Sequence, residues 1–270
     1  MRAQALLAAA LASGLASAAG ATCRQALAIG LDISASVDGA EHDLQRRGTA
    51  AAMLDPDVQQ ALFQIPGRPV RIAVYEWSGD SSHSLILPWT EITDAAALQA
   101  VAGRLVSRPR EAGAQSTGIG AAMEFGLGLL SAQGTCPRLT LDLAGDGMSN
   151  AGPWPRTVAA AAAGRPVTVN ALVIGWPEGE GGTPGIAELV AYFQTEVIRG
   201  PDAFVEVALG HAGFADAMRR KLLREVEGLA VSGLDPAIGW QPAASAARPA
   251  IPARPAAVDR LVDVADLLGP

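Results

Sequence analysis

Along the chain, short β-rich apolar runs alternate with stretches of helical period. This is the signature of a mostly parallel sheet with helices on both faces. Residues 26–32 read ALAIGLD, an apolar run with no polar face. It is expected to be a strand buried on both sides and ending in a carboxylate. A helix is predicted over 41–54, closed by Asp55-Pro56. Residues 70–78 and 83–89 are two strands separated only by Gly79-Asp80-Ser81-Ser82. That gap admits a hairpin but no helical crossover, so the pair is expected to be antiparallel. Helices are predicted over 95–106 and 117–130, and a buried strand over 139–146 again ends in a carboxylate. A helix over 155–163, a strand over 167–174, a helix over 186–198, a strand over 203–209 and a long helix over 214–226 continue the alternation. The expectation is an α/β fold: a doubly wound, mostly parallel six-stranded sheet with one antiparallel edge strand and helices on both faces.

The two ends have a different texture. Arg2 is followed by an Ala- and Leu-rich run and then Ala16-Ser17-Ala18, the small-x-small form of a signal-peptidase site, so residues 1–18 are expected to be a signal peptide. Thr22 before Cys23 argues against a lipoprotein, since a small Gly or Ala is expected there. Elsewhere no uncharged apolar run approaches the roughly 20 residues that a bilayer crossing needs. One α/β domain is expected over 24–228. Residues 229–270 form an Ala/Pro-rich tail, with Val258, Leu261, Val262, Ala265 and Leu268 on one helical face: either a weakly docked end or a short partner-binding helix.

Charge and composition narrow the function. The net charge is -7, and Lys221 is the single lysine. Such a chain lacks the basic footprint that nucleic acid or an anionic membrane requires. Cys23 and Cys136 are too few for a structural zinc site, and in an exported chain they are candidates for one disulfide. No GxSxG elbow, Walker-type phosphate loop or HExxH occurs, and none of His42, His83 and His211 is placed as a catalytic base.

Three segments fall where this architecture puts its ligand sites. The first strand runs into Asp32-Ile33-Ser34-Ala35-Ser36, Thr117-Gly118-Ile119-Gly120-Ala121-Ala122-Met123 opens a helix, and Gly145-Asp146-Gly147-Met148-Ser149-Asn150 ends the fourth strand. Each alone is an ordinary turn or cap. In this order and at these places they resemble the metal-ion-dependent adhesion site of von Willebrand factor A (VWA) domains, over residues 26–228 and closer to a bacterial VWA-like group than to the animal adhesion domains. The resemblance places Asp32, Ser34, Ser36, Thr117 and Asp146 at the family's five metal-site positions, with Ser116 as an alternative to Thr117. It implies an exported, periplasmic or secreted, non-catalytic binding protein. Such a protein would hold Mg2+ (or Mn2+) and engage a carboxylate offered by a protein partner. Hydroxyl oxygens and only two carboxylates suit a hard cation and leave it short of negative charge, with a position for an acidic ligand.

The family's strand order also sets the first and fourth strands side by side. Cys23 lies nine residues before Asp32 and Cys136 ten before Asp146, so the cysteines would then meet at the opposite end of the sheet. Trp77, Trp154 and Trp176 fall near the metal-face strand ends, where aromatics either rim a partner site or pack inward. Glu178 and Glu180 belong to an expected surface loop.

Two other readings compete. A VWA-like scaffold that binds no metal shares every feature except the ion. A haloacid dehalogenase-like phosphohydrolase also has an Asp after the first strand and a late GDG. It needs a second acid where this chain has Ser34, and a further metal carboxylate where it has Asn150.

Overall fold

A computed structural model describes residues 23–111, 113–164, 166–178 and 184–232. The expected leader, Glu180 and the apolar face at Val258–Leu268 of the tail lie outside the described residues. The chain runs β1 (Gln25–Asp32), α1 (Gly39–Leu54), α2 (Pro56–Phe63), β2 (Val70–Trp77), β3 (His83–Ile92), α3 (Ala95–Ser107) and α4 (Ile119–Ser131). It continues through β4 (Arg138–Gly145), α5 (Pro155–Ala161), β5 (Val167–Gly175), α6 (Ile186–Glu196), β6 (Val205–Leu209), a 3-10 turn at His211–Gly213 and α7 (Phe214–Ser232). The six strands form one sheet ordered β3-β2-β1-β4-β5-β6, in which only β3 is antiparallel to its neighbour.

β1 is central, and every residue of it is buried. Alternate side chains enter different cores. Leu27, Ile29 and Leu31 pack with residues of α1, α2, α3 and α7, whereas Ala26 and Ala28 pack with residues of α4, α5 and α6. Full burial of such a Leu or Ile side chain is worth about 2 kcal/mol. On the Ala side Gly30 has to be small because Tyr75 crosses it: a Cβ there would meet the Tyr75 ring at 2.7 Å, and the Tyr75 hydroxyl donates to Ala122 O at 2.8 Å.

Two elements differ from the sequence reading. Asp55-Pro56 does end α1, but it also starts α2: Asp55 accepts hydrogen bonds from Asp57 N and Val58 N, and Pro56 takes the first helical position. The first turn of a helix tolerates proline because its missing N–H has no partner there anyway. β3 runs past Pro88 to Ile92, with register shifts against β2 between Ile72 and Tyr75. An edge strand with a bulge accommodates the proline that a central strand would not.

The register between β1 and β4 pairs Gln25 with Arg138 and Leu31 with Ala144. Two residues before the first pair, Cys23 and Cys136 form a disulfide with Cα atoms 5.1 Å apart. At the other end, Asp32 lies beside Gly145, and Asp146 follows one residue later.

Candidate functional site

The strand order reverses between β1 and β4, since the chain winds toward β2 and β3 on one side and toward β5 and β6 on the other. Doubly wound sheets bind ligands in the crevice beyond the carboxyl ends of strands at such a reversal. Asp32, Ser34, Ser36 and Asp146 meet there. Asp32 is wholly buried; its Oδ1 accepts from Ser34 N at 2.7 Å, and its Oδ2 has no partner among the described residues. The Ser34 and Ser36 hydroxyl oxygens are 3.2 Å apart, and Ser36 Oγ donates to Asp146 Oδ1 at 2.7 Å. A ladder of hydroxyls therefore joins a buried carboxylate to a more exposed one.

The Thr117 hydroxyl lies near the residue after Asp146, 3.9 Å from where a Cβ on Gly147 would stand. Ser116 faces elsewhere: its carbonyl accepts from Gly79 N at 2.7 Å, and its hydroxyl would lie 3.2 Å from a Cβ on Gly79.

Three loops must lie close together to make this arrangement, and the glycines of the TGIG segment allow it. A Cβ on Gly118 would fall on the carbonyl oxygen of Gly79, and one on Gly120 on that of Pro153. The last residues of the GDGMSN segment then fasten Thr117. Asn150 Oδ1 accepts from Thr117 N at 2.8 Å, while Asn150 N and Ala151 N donate to Thr117 O at 2.9 and 3.2 Å. Ser149 Oγ accepts from Ile119 N and donates to Thr117 O. Sequence reading treated Ser149 and Asn150 as motif wording. Their role as fasteners depends on contacts between segments some thirty residues apart, which spacing alone does not reveal.

The electrostatics are those of crowded carboxylates. Burial, then the Asp146 charge, pushes Asp32 up to about 8, against the pull of its Ser34 hydrogen bonds. Asp146 is also raised, by burial first, with the Ser36 hydrogen bond and His211 opposing and Glu41 adding to the rise. Among the described residues there is no metal-holding cluster of three or more His, Cys, Asp or Glu side chains. A cation between Asp32 and Asp146 would take most of its protein ligands from hydroxyls. Beside Asp146 lies a cleft of about 170 Å³ bounded by Glu41, His211, Ile174 and Trp176, with His211 Nδ1 3.1 Å from Glu41 Oε1.

The tryptophans divide. Trp77 is fully buried against Gly145 and takes no part in a rim, because the alternation of β2 turns it inward. Trp154 and Trp176 are 58% and 46% exposed. Glu178 is exposed.

Solved structures share the fold at low identity. A pilus adhesin, SpaC from Lactobacillus rhamnosus GG, aligns with a TM-score of 0.54 and 16% identity over 77% of this chain and 30% of that one. A von Willebrand factor type A protein from Catenulispora acidiphila aligns with a TM-score of 0.51 and 14% identity over 76% and 43% of the respective chains. Proximal thread matrix protein 1 from the mussel byssus, described with a zinc-occupied MIDAS motif, aligns with a TM-score of 0.54 and 14% identity over 76% and 46%. The chain thus spans less than half the length of each. No curated protein matches it. A family model does, over residues 22–230, and the chain belongs to that family, described as "Protein of unknown function (DUF1194)", whose member here has the VWA-like α/β fold.

Proposed function

We propose that this chain is an exported VWA-like binding protein that holds a Mg2+-type cation at Asp32, Ser34, Ser36, Thr117 and Asp146 and engages a carboxylate of a protein partner. The observation that carries the reading is the buried Asp32 Oδ2, which lacks a hydrogen-bond partner among the described residues and lies beside a second carboxylate. Two carboxylates this close resist being charged together, and a divalent cation reverses the sign of that interaction. The donor set fits: three hydroxyls and two acids are hard oxygen ligands. When bound, such an ion supplies a Lewis-acidic position that a partner's carboxylate can fill. Asp32 holds the inner side of the site, Ser34 and Ser36 orient its hydroxyls, and Asp146 closes it toward solvent. Asn150 and Ser149 keep Thr117 in reach. The exposed indoles of Trp154 and Trp176 are suited to contact a partner beside the site.

Export, with cleavage after residue 18 and a binding domain over 24–228, agrees with the Cys23–Cys136 disulfide, which belongs to an oxidising compartment such as the periplasm or the exterior. The Ala/Pro-rich tail at 229–270 is outside the proposed site. The chemistry is binding, without a catalytic group, and neither nucleic acid nor a membrane is the partner.

A second reading, a scaffold that binds no ion, draws support from the Ser36–Asp146 hydrogen bond, which already engages one carboxylate. Titrating the protein with Mg2+ or Mn2+ and following thermal unfolding separates the two. The ion-binding reading expects the midpoint to rise with metal and the rise to vanish in Asp32→Ala. A flat titration of the wild-type chain supports the scaffold. For the partner, a pull-down from the exported fraction is expected to recover proteins that are lost with EDTA and with Asp146→Ala.

A further inference from the structure

The end of the sheet remote from Asp32 and Asp146 carries a second concentration of charge. A cavity of about 570 Å³ opens there among the first residues of β4 and β5, the turn before β6, and α7. That volume is in the range of small-molecule sites, roughly 300–1,000 Å³. Arg138, which opens β4, stands a strand length from Asp146, on the order of 25 Å at the strand rise.

The floor is a buried ionic cluster centred on Lys221. Lys221, wholly buried, contacts both Asp142 and Glu225, and Glu225 Oε1 also accepts from Asn170 Nδ2 at 2.7 Å. Asn170 Oδ1 in turn accepts from Phe204 N at 3.1 Å. Burial, then the neighbouring Glu225, holds Asp142 above the usual carboxylate range, with Lys221 opposing the rise.

The walls are different. Arg138 and Arg224 both line the cavity, and among the described residues neither makes a hydrogen bond or an ion pair with a carboxylate. Arg224 is laid over the Phe204 ring, 3.8 Å from its centroid, a stacking that leaves the in-plane N–H donors of a guanidinium available. Arg138 is half-buried and electrostatically felt by Arg24, whose own guanidinium is held by Ala61 O and Leu62 O at 2.6 and 2.9 Å. Glu225, already engaged by Lys221 and Asn170, and then Asp202 at the mouth are the counter-charges that Arg138 feels. A guanidinium presents donors in a planar fork that matches an oxyanion bidentately. Two such forks without a carboxylate partner among the described residues, at one cavity of a chain with net charge -7, form a concentration of cationic donors that the bulk charge does not explain.

We infer that this cavity is a second ligand site, independent of the first, which takes a small oxyanion-bearing molecule, a carboxylic acid or a phosphate ester, on Arg138 and Arg224. The test is calorimetry and thermal unfolding of the full oxidised chain with succinate, inorganic phosphate and, as a neutral control, succinamide. At least one anion is expected to bind and raise the unfolding midpoint, as any ligand selective for the folded state must. Succinamide is expected to do neither. Binding by succinate alone assigns a carboxylic acid, binding by phosphate alone assigns a phosphate group, and binding by both supports the shared oxyanion chemistry. Arg138→Gln, and independently the exposed Arg224→Gln, are expected to weaken binding by about tenfold or more, the scale of one lost charge-assisted pair, while Asp146→Ala leaves it unchanged. Absence of binding by both anions in the millimolar range, or equal affinity in wild type and both arginine variants, overturns the assignment.

Discussion

At Asp32 the sequence and the physics of the site meet most directly. An acid at the end of an apolar strand is visible in the sequence, but its two following hydroxyls alone read as an ordinary turn and gain meaning only beside the Thr117 and Asp146 segments. What spacing could not give is the asymmetry of the pair: Asp32 is sealed, with one oxygen unpartnered among the described residues, while Asp146 retains some exposure and a Ser36 partner. Nor could it rank Ser116 against Thr117, which point into different loops although they are adjacent. The Asn150 side chain offers a sharp test at this scale, because it accepts from Thr117 N without being a proposed ligand. Asn150→Ala is expected to cost about 1 kcal/mol of stability, the usual worth of one such hydrogen bond. It is also expected to weaken Mg2+ binding about 10- to 100-fold, as lost outer support does at other metal sites. Urea unfolding and calorimetry read the two effects separately, and unchanged metal affinity would remove Asn150 from the account.

Among the elements, strands were easier to foresee than helix boundaries. The apolar runs of β1, β4 and β5 have few alternatives, because a central strand must be apolar on both faces. Asp55-Pro56 was ambiguous because the same dipeptide stops one helix and caps the next, and α2 was missed for that reason. Trp77 followed the parity of β2 into the core, whereas Trp154 and Trp176 lie in loops that carry no such parity. Buried charge was the other blind spot. Lys221 recurs at helical spacing with apolar neighbours on α7, and only the fold brings Asp142 from β4 against it. Lys221→Met is expected to lower stability by about 3–5 kcal/mol, since it strands buried carboxylates without a counter-charge; a loss within about 0.5 kcal/mol, typical of an inconsequential surface site, would show that the cluster does not stabilise the fold. At the start of α4, Gly120→Ala is expected to cost about 1–3 kcal/mol, the range for overpacking, because the new methyl would meet the Pro153 carbonyl. Chemical denaturation checks both variants.

For the molecule as a whole, one register ties the two ends of the sheet together. The pairing that sets Gln25 against Arg138 brings Cys23 to Cys136 and, seven and eight residues on, brings the Asp32 and Asp146 loops to a common edge. The cysteine spacing anticipated this once the strand order was known, and the order itself came from a family resemblance rather than from the residues. The disulfide closes a separation of 113 residues, for which loop entropy gives about 4–5 kcal/mol. Reduction, or Cys136→Ser, is therefore expected to lower unfolding stability on that scale while leaving metal affinity unchanged in the folded protein. Loss of metal affinity without unfolding would mean that the bond shapes the distant site as well. The central claim is that the five oxygen-bearing side chains share one ion, and anomalous diffraction from a Mn2+-soaked crystal tests it most directly. The account predicts a single strong peak among Asp32, Ser34, Ser36, Thr117 and Asp146, absent in Asp32→Ala. A peak elsewhere, or none at that edge of the sheet under saturating metal, contradicts it.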